Sequence, residues 1–441
     1  MVSDFFYPNM GGVELHLYQL AQCLIKRGNK VIIITHQYGN RKGIRYLDGG
    51  LKVYYLPFNP FYNQSSFPTF LFFFPLLRHV LIREKIDTVH AHQAFSTLAH
   101  ECMLNARIMG YPSCFTDHSL FGFADGSSST MNKILKFTLC DINHVICVSN
   151  TSKENTVLRA GLDPRIVSVI PNAVDSSHFT PDPSARDPRY LTIVVMSRLV
   201  YRKGVDLLID VIPEICRRFP RVRWIIGGDG PKRIALDEMR EKHQLQDRVE
   251  FLGSVNHSQV RDVLVRGHIF VNCSLTEAFC TAIIEAANCG LLVVSTKVGG
   301  VPEVLPPHLI RLCAPTSVGL LNSLIEAVPI SEQRDPLQVH EEVRNMYRWM
   351  DVARRTEIVY GMIHKCKNQP LIDRLKNYYG CGVYAGKLFC MFIGMIYLVW
   401  RLLEYIQPRE EIEIAPDFPC HRYEDMRSHY SKHKKNKEEE N

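Results

Sequence analysis

Short β-branched runs alternate with longer amphipathic segments along most of this chain, and the alternation runs through twice with a proline-rich break between. No other feature constrains the fold as strongly, because strands separated by helical crossovers pair in parallel and need helices on both faces. In the first half, residues 31–35, 51–56, 88–90, 113–116, 144–148 and 166–170 read as strands. Residues 13–26, 95–109 and 151–160 read as helices, and Gly28 and Gly110 close the first two. The stretch 176–190 is polar and holds Pro181, Pro183 and Pro188, which neither a helix interior nor a central strand tolerates. The rhythm restarts with strands at 191–196, 222–227, 249–252, 268–272 and 291–295 and helices at 204–218, 234–243 and 278–289.

A chain of 441 residues exceeds what one core usually organises. The expected fold is therefore α/β, two doubly wound Rossmann-like halves facing across a cleft, with ligands at the carboxyl ends of the strands. The expected divisions are 1–176, a linker 177–190, 191–335, a crossover and juxtamembrane part 336–382, an apolar segment 383–403 and a polar tail 404–441. The segment VYAGKLFCMFIGMIYLVWRLL has an uncharged centre from Leu388 to Trp400, which Lys387 and Arg401 lengthen to about 20 residues by snorkelling. It reads as a single membrane span, with a buried or interfacial helix as the alternative. Lys365, Lys367, Arg374 and Lys376 outnumber Arg409 and Arg422 across it, which keeps the large N-terminal part cytosolic. The tail 431–441 reads as solvated and disordered.

The fourteen cysteines form no C-x-x-C pair, and several sit in apolar runs, so reduced cytosolic thiols are expected. The N-terminus has no basic and apolar leader that would send the chain into the secretory lumen. A net charge of +7 leaves phosphates, nucleic acid and acidic membranes all open as partners.

Three stretches can carry chemistry. Gly11 and Gly12 stand where a first strand gives way to a helix, where backbone N–H groups can approach a phosphate, although a bare Gly-Gly serves plain turns equally well. Arg198 and Lys203, in SRLVYRKG, follow the first strand of the second half, and a leaving diphosphate needs fixed cations there. Glu277 and Glu285, in EAFCTAIIE, put one carboxylate at a helix start and another about two turns inside. Near a diphosphate they suit sugar hydroxyls; alone, each also fits a helix-dipole partner or a surface residue. His118 follows a first-half strand beside Asp117, with structural and functional readings both open. His90 and His92 form an H-x-H pair with no carboxylate or cysteine cluster nearby in sequence, so no metal site is expected. No D-x-D, G-x-x-x-x-G-K-[ST] or G-x-S-x-G occurs, which leaves metal-assisted sugar transfer, P-loop hydrolysis and serine esterase chemistry unsupported. The apolar run 67–82, FPTFLFFFPLLRHVLI, holds Arg78 and His79 and reads either as a membrane-resting element presenting a lipid head group or as a core helix.

Gly11-Gly12, Arg198 with Lys203, and the E-x7-E run occur in the order seen in retaining GT-B glycosyltransferases of family 4. Moreover SDFFYPNMGGVE, TDHSLFGFAD, VSNTSKENTVLRA, VIPNAVD, SRLVYRKG, GGDGPKR and LTEAF resemble the catalytic subunits that begin GPI-anchor synthesis, strongly over residues 1–310. The resemblance implies transfer of N-acetylglucosamine from UDP-GlcNAc to phosphatidylinositol with retention, without a metal or other cofactor. It also implies companion subunits, no nucleic acid, and the cytosolic face of the endoplasmic reticulum membrane. It implies that Gly11 and Gly12 lie by the diphosphate, that Arg198 and Lys203 bind it, and that Glu285 holds the ribose. Glu277 would hold the sugar hydroxyls and His118 the sugar's far side, as the catalytic pair. Phe279 is assigned to the donor, and Tyr7 and Arg78 to the acceptor. Another sugar or lipid acceptor on the same scaffold, and a non-catalytic nucleotide-sugar-binding subunit, are the alternatives. Family members usually carry an apolar stretch ahead of SDFFYP; here Met1-Val2 precedes it, so the first strand is short or residues precede it.

Overall fold

The computed structural model describes residues 1–69, 71–122, 126–366 and 368–416. Lys367, Arg422 and the tail 431–441 lie outside the described residues, as do Phe70 and the end of TDHSLFGFAD.

The first half begins with a stub, Met1–Ser3, then α1 (Gly12–Lys26), β1 (Ile32–His36), β2 (Gly43–Tyr46), β3 (Lys52–Leu56) and a hairpin of β4 (Pro60–Tyr62) and β5 (Ser65–Ser66). There follow α2 (Phe73–Arg83), β6 (Val89–His92), α3 (Thr97–Ile108), β7 (Ser113–Asp117), α4 (Gly126–Leu139), β8 (His144–Cys147), α5 (Asn150–Ala160) and β9 (Val167–Val169). Val2 bridges Ile34 of β1 and Ala91 of β6, both parallel, and so joins β2-β3-β1 to β6-β7-β8-β9 as one sheet. All neighbours are parallel except β2, which runs antiparallel on β3 at the edge. β1, β3, β6, β7 and β8 are buried at every position, as continuous apolar runs demand of a sheet covered on both faces. The stub is the weak point. Beneath Met1 a cavity of about 450 Å³ opens between Lys30–Ile32 and Thr88–His90, and burial lowers the terminal ammonium to a pKa of about 6.

The second half contains β10 (Leu191–Met196), α6 (Val205–Arg218), β11 (Val222–Gly227), α7 (Arg233–Lys242), β12 (Val249–Gly253), α8 (His257–Leu264), β13 (Ile269–Asn272), α9 (Thr281–Asn288), β14 (Leu292–Thr296), β15 (Ile310–Cys313) and α10 (Ser317–Glu332). Its sheet runs β12-β11-β10-β13-β14-β15, all parallel. This is the doubly wound order, and its direction reverses between β10 and β13, where a ligand crevice must open.

α11 (Pro336–Val343) packs on α9, and α12 (Trp349–Lys365) then returns to the first half and lies on α1. Arg27 Nη2 meets Glu357 there at 2.6 Å. α13 (Leu371–Tyr379) is pinned by Arg374 to the buried Asp141 at 2.6 Å. Last comes α14 (Ala385–Ile406), 22 residues with mean hydropathy 1.6 over its most apolar window, long and apolar enough to cross a membrane. It follows the first half lengthwise: Phe389 stacks on Phe137, Ile393 and Ile396 join Phe74, Leu104 and Ile108, and Glu404 meets Arg78 at 3.0 Å.

The run 67–82 divides. From Phe73 onward it is a core helix, with Phe73, Phe74, Leu77, Leu81 and Ile82 buried, while Phe67 and Phe72 stay exposed.

Candidate active site at two facing switch points

The second-half site grows from the two loops flanking the reversal. After β10 the chain passes Arg198, makes a single turn over Tyr201–Lys203 and enters α6 through Gly204 at φ 66°. A Cβ on Gly204 would stand 1.8 Å from the Cys273 carbonyl oxygen, so only glycine lets this loop lie against the end of β13. The close approach carries Lys203 to Glu277, and the two form an ion pair. Ser274 Oγ lies 2.8 Å from Glu277 Oε1 and steadies the carboxylate. Burial lowers the Lys203 pKa, but the Glu277 carboxylate more than offsets it and holds the ammonium above the ordinary lysine value. Glu277 is fixed from the other side as well: the Gly300 N–H donates to its carbonyl oxygen at 3.0 Å. Cys280, just before α9, adopts φ 70°, a left-handed conformation that strains a residue with a Cβ and sits beside this carboxylate.

The first-half site forms at the matching reversal, between the stub and β6. Gly11 and Gly12 open α1 there and are exposed, and a Cβ added to Gly12 would meet nothing within 4 Å. The positive end of α1 therefore faces open space. Glu14 follows on the first turn of α1. Burial raises its carboxyl above the usual range, opposed by its backbone N–H and by the Arg198 cation across the cleft. This coupling brings the glycine loop and the cationic loop to one place.

Behind the loop lies a histidine cluster. His92 Nδ1 is 3.4 Å from His118 Nε2, and the His16 ring centroid is 4.6 Å from that of His118. Trp349 of the returning helix packs edge-on against His16 at 5.4 Å. Burial lowers His16 to a pKa of about 4 and pushes His92 and His118 well below 6.5, with neighbouring imidazoles adding to the shift. The three rings are neutral at pH 7. One nitrogen from each lies within 4.8 Å of the others, so the donor set suits a soft divalent cation after modest closure.

The structure brings Gly11, Gly12, Arg198, Lys203, Glu277 and His118 to this cleft and places other expected residues elsewhere. Arg78 is 2% exposed; its guanidinium is committed to Glu404 and, at 2.7 Å, to the Gln407 carbonyl, so it holds α14 rather than facing an acceptor. Phe279 is buried in the core against Tyr347. Asp117 turns away from His118 and pairs with the buried Arg159 at 3.0 Å. Glu285 is buried, and His257 Nε2 lies 3.1 Å from it. Hydrogen bonding to that carboxylate raises His257, against burial. Tyr7 is exposed in the loop leading to Gly11, with the Arg41 guanidinium 5.0 Å from its ring centroid.

Glu14, His16, Arg41 and His257 were not anticipated from the sequence. Glu14 was within reach, two residues past the glycine pair; the others lie far from the motifs and join only through tertiary packing. The domain contact was not anticipated either. Glu303 accepts hydrogen bonds from the backbone N–H groups of Asn150 and Thr151 at 2.7 and 2.9 Å, capping α5 of the opposite half.

The sequence matches the PIGA (GPI anchor biosynthesis) family over residues 36–125 and glycosyl transferases group 1 over residues 178–339. It is 58% identical over 422 residues to a phosphatidylinositol N-acetylglucosaminyltransferase subunit of Arabidopsis thaliana, covering 96% of this chain and 94% of that one. The human counterpart, with the same printed name, is 55% identical, over 95% of this chain and 87% of its own length. Among solved structures, sucrose-phosphate synthase from Thermosynechococcus elongatus superposes with a TM-score of 0.69 at 21% identity, over 80% of this chain and 94% of that one. Anabaena HepE in complex with UDP-glucose superposes with a TM-score of 0.63 at 18% identity, over 82% and 98%. These two likenesses establish the GT-B fold.

Proposed function

The chain belongs to the PIGA family of phosphatidylinositol N-acetylglucosaminyltransferase subunits, glycosyltransferases of GPI-anchor biosynthesis, and on that footing we propose that it is the catalytic subunit that transfers N-acetylglucosamine from UDP-GlcNAc to phosphatidylinositol with retention. The observation that carries this reading is the Lys203–Glu277 pair at the switch point, with exposed Arg198 facing Glu14 and the Gly11-Gly12 helix end.

In this reading the donor diphosphate takes over Lys203, and Glu277 is released to accept hydrogen bonds from sugar hydroxyls. Arg198, Lys203 and the N–H groups at Gly12 stabilise the charge that grows on the departing phosphate. The bond between the anomeric carbon and the β-phosphate oxygen breaks first, leaving an oxocarbenium-like centre. An inositol hydroxyl then attacks from the same face, and its proton passes to the leaving phosphate oxygen. His118 lines the far side of the sugar as a neutral group, Glu285 receives the ribose hydroxyls, and Tyr7 stands on the acceptor side. The positive charge comes from fixed side chains, so a divalent metal is not required, and activity should persist in a chelator. α14 anchors the enzyme in the endoplasmic reticulum membrane beside companion subunits, with both Rossmann-like halves in the cytosol.

Microsomes carrying the protein, supplied with labelled UDP-GlcNAc or UDP-glucose, test this directly. GlcNAc is expected on phosphatidylinositol, and Arg198→Ala or Glu277→Gln should lower the rate roughly 10²–10³-fold, as loss of one transition-state donor does. Transfer of glucose alone, or of sugar to a different lipid, would refute the substrate assignment. Unchanged rates in both variants would point instead to a non-catalytic subunit.

A further inference from the structure

From Pro57 to Leu77 the sequence has no charged residue. Within that stretch, outside the core helix, Phe61, Tyr62, Phe67 and Phe72 are 76%, 70%, 59% and 81% exposed. Four large aromatic side chains in twelve residues, clustered enough that the rings of Phe61 and Phe67 meet edge to face at 5.6 Å, are costly to leave in water. We propose that the β4–β5 hairpin, with Phe67 and Phe72 behind it, dips into the head-group layer of the bilayer that holds α14 and seats the acceptor side of the cleft on that surface. The proposal rests on the reading of the acceptor as a membrane lipid.

The hairpin is rigidly held. Asn63 and Gln64 both take positive φ, 44° and 70°, the tight turn whose twist matches the strands. At its base the fully buried Asp4 accepts from Ser66 N at 3.0 Å and Ser66 Oγ at 2.6 Å with one carboxylate oxygen. The other oxygen accepts from Ser96 Oγ at 2.7 Å and Leu98 N at 3.0 Å. Asp4 belongs to the loop that continues to Tyr7, Gly11 and Gly12, so whatever fixes the hairpin tip fixes the acceptor side of the cleft with it.

A bilayer fits the surface better than a protein partner because the patch continues into the membrane helix. Past Phe72 the chain enters α2, and Leu71 and Phe74 pack in the cluster that holds Ile393 and Ile396 of α14. On its outer side α14 exposes Leu388, Met391, Met395, Leu398 and Leu402. Aromatic rings with no charge nearby are the side chains that favour the head-group region.

Phe61→Trp in the full-length chain, reconstituted with its companion subunits in vesicles of phosphatidylcholine and phosphatidylinositol, provides the test. Its emission, taken as the difference from wild type, should be blue-shifted and quenched by brominated phosphatidylcholine. Emission at the wavelength of a hydrated indole, quenched by aqueous iodide and untouched by bromolipid, would overturn the proposal. Emission blue-shifted but insensitive to both quenchers would overturn it too, by showing that a companion protein covers the hairpin. In parallel, the double variant Phe61→Ser, Phe67→Ser should raise KM for the lipid acceptor about tenfold, from the loss of apolar burial. KM for the sugar nucleotide and the melting temperature should stay as in wild type. Because bromolipid quenching needs no catalysis, the hairpin can pass while the substrate assignment fails, and the reverse.

Discussion

At the residue scale the most telling groups are ionisable ones in pairs and clusters, and their pKa shifts have opposite signs. His16 is held near 4 by burial, and His92 and His118 well below 6.5, so the folded state takes up fewer protons than the unfolded chain as the medium acidifies. Their contribution is intact above about 6.5 and is lost as pH falls from there toward 4. The melting temperature should drop over that window, and His16→Gln should flatten the drop; an equally steep acid limb in the variant would refute the assignment. His257 is raised by Glu285, so its contribution is present below the unfolded value and fades as pH climbs through the folded one. Lys203 and Glu277 were both legible as site residues from their positions in SRLVYRKG and EAFCTAIIE. That they neutralise each other before the donor arrives was not, because the contact spans 74 positions of sequence.

At the scale of elements, loop geometry decides where the charges go. Gly204 is enforced twice, by its φ of 66° and by the Cys273 carbonyl oxygen 1.8 Å from where a Cβ would stand. Gly204→Ala should cost about 3 kcal/mol or more, since a rigid backbone neighbour must move. It should also weaken UDP binding, because Lys203 is the preceding residue; calorimetry for the first and nucleotide titration for the second are the checks. Most strands and helices were legible to within a residue or three, since buried parallel strands write themselves as apolar runs. β2, the β4–β5 hairpin, β15, α4, α8 and α10 were not read in advance. The hairpin strands are two or three residues long, too short for a periodic signal, and α10 carries a proline, Pro329, inside a helix that packing on α6 and β14 nevertheless maintains.

At the scale of the whole molecule the site exists only while the halves stay together. Glu303 caps α5 across the cleft, α12 crosses back to α1, and the Arg27–Glu357 pair secures that return. Burial raises the Glu303 carboxyl, yet donors from Thr151 and Asn150 hold it below its ordinary value, the mark of an anion well matched to a helix start. Glu303→Ala should cost about 1 kcal/mol of closure, as loss of a cap does. It should widen the closed form in small-angle scattering and raise KM for the sugar nucleotide several-fold; unchanged scattering with and without UDP would show that this contact does not govern closure. By itself, the sequence determined the two doubly wound halves, the cationic loop, the paired glutamates and the apolar C-terminal helix, because each is written in neighbouring residues whose periodicity or spacing is local. Only the tertiary structure decided that Arg78 holds α14, that Phe279 belongs to the core, that His16 and His92 stand with His118, and that the aromatic run divides into a core helix and an exposed hairpin. Those outcomes depend on which distant surfaces meet, and a side chain's partner across a fold leaves no mark on its neighbours in the chain.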